Sequence, residues 1–352
     1  MTATIRDVAK RAGVSVATVS RLINNTGKIR EQTAEAVRAA IRDLDFRPSA
    51  VGRNLSSSRT RTLGVVIPSL SNPVFADAVA GISAEARAEG YTLMFTSTDY
   101  SPDDELRCIN TLLEYRVDGL ILTVANPANN PVLKTLESAG APFVLIYNEV
   151  IQNGYPTVTI DNVAAGREVA LTLVGYGHER LGMVSGSFAA SDRAVARRMG
   201  FYNGVIEKGL PEPLVMEVDF VSPHVEETLS PIFADRQNAP TALFCSNDLL
   251  AILVIGVLGR MGLNVPDDVS VIGFDGIAVG THLHPTLATV CQPSHEMGRA
   301  ATRQVLGRLI GKDCPDKEIL PYILRLGESV GPVSKQSPTD LRRPIQSIKG
   351  DP

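Results

Sequence analysis

The hydrophobic rhythm of the chain changes once, near residue 62. Up to Pro48, apolar residues recur every three or four positions, the period of helices buried along one face. Thr4 is placed to cap a first helix whose core face is Ile5, Val8, Ala9 and Ala12. Gly13-Val14 makes a tight turn, since glycine tolerates the conformation that ends a helix. Ser15 caps a second helix, running from Val16 to about Asn24 with Val19, Leu22 and Ile23 inward. A third helix is predicted from about Glu31 to Leu44, after a loop holding Gly27. From Leu63 the pattern becomes short apolar runs between amphipathic stretches. Residues 63–67, 92–96, 119–124, 143–147, 157–160, 181–184, 242–245 and 269–273 read as buried strands, with helices such as 75–89 and 249–261 between them. Apolar strands alternating with helices predict parallel, doubly wound sheets. The strands are too many for one small sheet, so two sequential α/β lobes are expected.

Composition adds limits. The chain has 352 residues, 44% hydrophobic and 20% charged, enough for a large core and about two to three domains. No apolar run reaches the ~18 residues of a membrane span, and the polar start MTATIRDVAKR is not a secretory signal. Cys108, Cys245, Cys291 and Cys314 are scattered without CxxC spacing, which fits small core residues in a reduced cytoplasm. His282 and His284 form an HxH with no third ligand by spacing, so neither metal nor cofactor is expected. The charge is uneven. Residues 1–62 carry 12 Lys/Arg against 5 Asp/Glu, a net +7, and the remainder 22 against 33, a net −11. A basic head on an acidic body is the footprint of a nucleic-acid binder.

Two short helices across a glycine turn, inside a basic three-helix unit, form a helix-turn-helix, whose second helix enters the major groove N-terminus first. The run TIRDVAKRAGVSVATVSRLINN resembles the head of the lactose-repressor (LacI/GalR) family nearly residue for residue. The resemblance implies that Val16 and Ala17 stand where bases are read. Both are apolar and suit thymine methyl groups, while Arg21 can reach a guanine or a phosphate. Ser15, Thr18, Ser20 and Asn24 are candidates for phosphate contacts that fix register. Behind the head, the basic, Ser-rich connector 49–61 contains AVGRNL, which resembles the family's hinge helix. Gly52 weakens so short a helix. Leu55 matches the leucine that wedges into the minor groove and bends the duplex, with Arg53 beside it.

The body resembles the family's periplasmic-binding-protein-like (type I) core through LGVVIPSLSNPVF, VDGLIL, TIDNVAAGREVA, YGHERLGMVSG, SNDLLA and VIGFDGI. That core implies an N-lobe of about 62–160 and 292–322, and a C-lobe of about 161–291 and 323–332. Crossovers fall near Ile160-Asp161, Cys291-Gln292 and Tyr322. A small-molecule effector lies between the lobes, at the carboxyl ends of the strands. Carried over residue by residue, the effector set is Phe75, Thr123, Tyr147, Ser191, Arg193, Arg197, Phe220, Asn247 and Asp275. Arg197 offers a two-pronged contact and Asp275 an acceptor. After PFVLI the family often has Asp, whereas this chain has Tyr147-Asn148, which changes the hydrogen-bond pattern expected for a simple pyranose. Residues 333–352, rich in Pro, Ser and Lys, are expected to lack stable structure. They hold no leucine heptads, so a homodimer on double-stranded operator DNA is expected rather than a tetramer. No GxSxG, P-loop or HExxH motif occurs, so no enzyme is predicted. The rival readings are a transport-type sugar-binding protein, opposed by the basic head, and an α/β enzyme with incidental DNA binding.

Overall fold

The computed structural model describes residues 3–23, 27–46, 59–128, 130–150 and 154–333. Asn24, Arg53 and Leu55, with the hinge expected around them and the tail after Val333, lie outside the described residues. The chain divides into two units, residues 1–61 and 62–352.

The first unit is three helices: α1 (Ile5–Ala12), α2 (Val16–Ile23) and α3 (Glu31–Asp43). Thr4 and Asp7 form a reciprocal capping box, the Asp7 carboxylate accepting the Thr4 N–H at 2.8 Å. Gly13 closes α1 at φ 66°, a left-handed turn that any β-carbon would strain. Val8, Ala9, Val19, Val37 and Ala40 make a small core, with Ile5, Ala12, Leu22 and Ile23 packed against it. That burial fixes which face of α2 is left over.

The second unit holds two six-stranded sheets. The N-lobe contains β1 (Thr62–Ile67), α4 (Pro73–Ala88), β2 (Thr92–Ser97), α5 (Pro102–Glu114), β3 (Gly119–Leu122), α6 (Pro131–Ser138), β4 (Phe143–Ile146) and β5 (Thr157–Thr159). The C-lobe contains α7 (Asn162–Gly175), β6 (Leu181–Gly186), α8 (Asp192–Glu207), β7 (Leu214–Val218), α9 (Val225–Ala234), β8 (Ala242–Cys245), α10 (Asp248–Arg260), β9 (Ser270–Asp275) and β10 (Ala288–Cys291). After β10 the chain returns as α11 (Ser294–Leu309), packed on α4. It then adds β11 (Lys317–Ile319) to the first sheet and β12 (Ile323–Arg325) to the second. The strand orders are β11-β5-β4-β3-β1-β2 and β12-β10-β9-β8-β6-β7. All recorded pairings are parallel except β10 with β12.

The two orders are the same pattern used twice. In each lobe the first strand lies inside the sheet, so the winding reverses beside it. A crevice opens at such a switch point, beyond the carboxyl ends of the strands. Four strands escape the hydrophobic pattern. β7 is an edge strand with its alternate residues exposed, β10 is a four-residue run containing Thr289, and β11 and β12 are three-residue edges. Among the described residues no helix is long and apolar enough to cross a membrane, and no group of three or more His, Cys, Asp or Glu is placed to hold a metal.

Candidate functional site

On the head, α2 begins with its apolar residues in solvent. Ser15 Oγ accepts the Thr18 N–H at 3.2 Å and lies 2.9 Å from the Thr18 hydroxyl, fixing the helix start. Val16 is 42% exposed, although Val19 one turn on is fully buried. Ser15, Ala17 and Arg21 are exposed, while Thr18 and Ser20 are half-buried. Val16 is therefore not part of the head's core.

In the body, one cavity of about 30 Å³ lies between the lobes. Its lining includes Phe75, Tyr147, Ser191, Arg193, Arg197, Phe220, Asn247 and Asp275, eight residues of the expected set. Thr123 is the correction. It is 1% exposed and its hydroxyl donates to the Ile146 carbonyl at 2.8 Å, so it serves the neighbouring strand rather than the cavity. Asn72, Tyr100, Ser246 and Gln292 also line the cavity and were missed. Asn72 had a signal in the sequence, since Asn before Pro at a helix start is a capping pattern. Tyr100 had none.

Asp275 ends β9 at φ 119°, and its carboxylate is shared. Asn72 donates to Oδ2 at 3.1 Å, Gln292 to Oδ1 at 2.9 Å, and the Arg197 guanidinium lies 3.7 Å away. Burial raises its pKa, and Arg197 pulls it back. Behind it stands Asp248, fully buried, which accepts the Ile277 N–H at 2.8 Å and the Thr289 hydroxyl at 2.6 Å and so supports the turn that aims Asp275. Burial, then the charge of Asp275, pushes the Asp248 carboxyl up to about 7. Arg197 lies over the Phe274 ring, 3.5 Å from its centroid, and donates to Asn162 Oδ1 at 2.9 Å and the Ser246 carbonyl at 2.6 Å. Burial lowers its pKa to about 10, which leaves it a cation at neutral pH. Tyr147 sits at φ 71° and its phenol donates to the Val74 carbonyl at 3.0 Å. Tyr100, at φ 59°, stacks on Phe220 of the other lobe, centroids 4.1 Å apart and planes within 9°. Three non-glycine cavity residues thus hold backbone conformations of order 1–3 kcal/mol above the usual ones, which persist only where surrounding structure enforces them.

The lobes are latched beside this cavity. Asn148 Nδ2 donates to both oxygens of Asp192 at 3.0 Å, and the Glu149 N–H donates to Oδ2 at 2.8 Å. Arg193 Nη1 donates to the Val124 carbonyl at 3.1 Å, and the Asp192 N–H to the Ala125 carbonyl at 2.8 Å.

Residues 4–49 match the family model described as bacterial regulatory proteins, lacI family, and residues 60–322 the one described as periplasmic binding proteins and sugar binding domain of LacI family. The chain belongs to the LacI family. Catabolite control protein A of Priestia megaterium is 33% identical over 333 residues, 94% of this chain and 99% of that one. The transcriptional repressor PurR of Aliivibrio salmonicida is 34% identical over 315 residues, 88% of this chain and 93% of its own. The lac repressor dimer solved with operator and an anti-inducer superposes with a TM-score of 0.82 over 94% of this chain and all of that one; at 24% identity it speaks for the fold alone. This LacI-family chain is a DNA-binding regulator with an effector-binding body.

Proposed function

We propose that this LacI-family chain is a repressor that binds a pseudo-palindromic operator as a homodimer and changes its operator affinity when a sugar or sugar derivative occupies the cleft. Residues 1–48 are assigned to the DNA, 49–61 to the hinge, and the two lobes to the effector. The observation that carries the reading is the start of α2, where Val16 stands 42% exposed on a helix whose other face is spent on the core. Ser15, Val16, Ala17, Thr18, Ser20 and Arg21 all lie within that helix and its cap, and Asn24, Arg53 and Leu55 are assigned to the same interface from the sequence. The repressing sign is taken from PurR, and the sugar class from the description of the body's family model. We assign it no catalytic step. Its DNA target places its work in the cytoplasm.

A gel shift against a palindromic promoter fragment, with and without candidate metabolites, tests this. The chain is expected to retard that fragment over a scrambled duplex, with one metabolite altering the shift. In the same assay Arg197→Ala is expected to keep operator binding and lose the metabolite response. A normal response in that variant would remove Arg197 from the effector site.

A further inference from the structure

The cavity has a charge pattern that bears on what it takes. Three helices end their N-termini on it: Asn72, Ser191 and Asn247, the N-caps of α4, α8 and α10, are all in its lining. Each such end carries roughly half a positive charge. Two guanidiniums stand among them, with Arg193 5% and Arg197 6% exposed. Their protein contacts use part of each fork. Arg193 donates through Nη1 to Val124 and Asp192, and Arg197 through Nε and Nη1 to Asn162 and Ser246. Among the described residues nothing accepts from Nε and Nη2 of Arg193 or from Nη2 of Arg197, and none of the three atoms is sealed away from open space. One carboxylate lines the cavity, Asp275, and both of its oxygens are already engaged. The lining also includes the rings of Phe75, Tyr100 and Phe220, with Tyr100 in contact with both others.

Two cations meet two carboxylates, Asp275 in the lining and Asp192 beside it, so the positive surplus is that of the three helix N-termini and of the guanidinium N–H groups left without an acceptor. A neutral sugar leaves that surplus uncompensated, while an oxyanion meets it with charge-assisted bonds about twice as strong as neutral ones. Resting on the assignment of this cleft to the effector, we infer that the effector is an anionic small molecule, with one carboxylate or phosphate received by Arg193 and Arg197 and a carbon body against Tyr100 and Phe220. The two arginines sit side by side on the first turns of α8, four residues apart, so both forks reach one head group. Salt screens such a buried contact far less than a surface one.

The test is a thermal-shift titration of the full chain with glucose, galactose and mannose, each beside its uronate and its 6-phosphate, and with acetate and orthophosphate as bare head groups. A bound ligand raises the melting temperature with the logarithm of its concentration over Kd, so titrations at matched concentrations rank affinities. For at least one sugar the acid or the phosphate is expected to bind about tenfold or more tighter than the neutral parent. Arg193→Gln and Arg197→Gln are expected to erase the difference, and Arg193→Lys to restore part of it. A response to the uronate alone assigns a carboxylate, and to the 6-phosphate alone a phosphate. Circular dichroism melts of the variants separate lost binding from lost folding. A neutral sugar that binds as tightly as both its acids, and loses that binding in Arg197→Gln, overturns the charge inference while leaving the cleft as the effector site. No acid, phosphate or bare head group shifting the wild type beyond the Arg193→Gln/Arg197→Gln double variant overturns it too. The cleft assignment fails separately, if a ligand shifts the wild type, Arg197→Gln and Phe220→Ala equally.

Discussion

Glu149 lies outside the cavity, yet it is linked across the lobes to Arg197 in its lining. Its carboxylate accepts from Asn162 Nδ2 at 2.6 Å, and Asn162 Oδ1 in turn accepts from Arg197. Burial, then the charge of Asp192, pushes the carboxyl from 4.5 up to about 7, against the pull of Asn162, Arg197 and Arg193. The folded state therefore holds a proton that the unfolded chain has released. Stability tied to that proton is complete below the unfolded value of 4.5 and is lost as pH rises through about 7. Glu149→Gln keeps an acceptor for Asn162 and removes the titration. Urea unfolding between pH 5 and 8 is expected to show the wild type losing roughly 1–3 kcal/mol more than this variant. Part of the slope remains in the variant, because Asp248 is shifted in the same direction. Equal slopes would mean that Glu149 is ionised in the fold. Arg197 and Asp275 were legible in the sequence because each stands in a recognisable run. Glu149 and Tyr100 were not, because what each does depends on a residue of the other lobe more than ten positions away along the chain, and the capping signal at Asn72 gave no sign of its bond to Asp275.

At the scale of elements, both lobes use one device. Where α4 crosses α11, a β-carbon on Gly81 would lie 2.0 Å from the His295 carbonyl oxygen, and one on Gly298 2.2 Å from that of Ala78. Where α7 crosses α8, Gly166 and Gly200 face Arg197 and Val163 backbone oxygens at 2.3 and 2.0 Å. Each glycine costs its helix about 1 kcal/mol in propensity, and the close backbone approach offsets it. Gly298→Ala is expected to destabilise the body by roughly 1–3 kcal/mol in urea unfolding, since a backbone oxygen cannot move aside without its helix. Gly259→Ala is the contrast. It lies in α10 with open space around it and is expected to stabilise by about 0.5–1 kcal/mol. Gly298→Ala as stable as the wild type would mean that the crossing yields to a β-carbon, since alanine's higher helix propensity acts only in favour of the substitution. The long helices and eight of the strands could be read from the hydrophobic pattern, edge strand β2 among them. β7, β11 and β12 could not, because few of their residues are buried, nor could the central β10, where Thr289 interrupts a four-residue run. The glycine crossings were equally hidden, since a glycine inside a helix reads as a weakness until its partner helix is known.

For the whole molecule, the question is how a cleft in the body reaches DNA held by the head. A cavity of about 30 Å³ has room for about one or two waters, whereas ligand sites run to about 300 Å³ or more. A sugar-sized effector must therefore part the lobes, breaking the Asp192 latch or the Tyr100–Phe220 stack, and it alters operator affinity only by preferring one lobe arrangement. In the proposed function the connector between the two units is assigned this step, and Leu55, which lies outside the described residues, is assigned the specificity. On that proposal Val16 and Ala17 offer methyl groups and no hydrogen bonds to base edges, which leaves the discrimination to other residues. A wedge that bends the duplex adds the rest, since the bend costs different energies in different sequences. Leu55→Gly is expected to weaken specific operator binding by about tenfold or more, roughly 1.4 kcal/mol or above. Binding to a scrambled duplex should stay within about twofold, because it is carried by Lys and Arg against phosphate. Fluorescence anisotropy with both duplexes at two salt concentrations reads the difference. The salt slope should be unchanged, since no charge is removed, and an unaltered specific affinity would sink the wedge and return the specificity to Arg21.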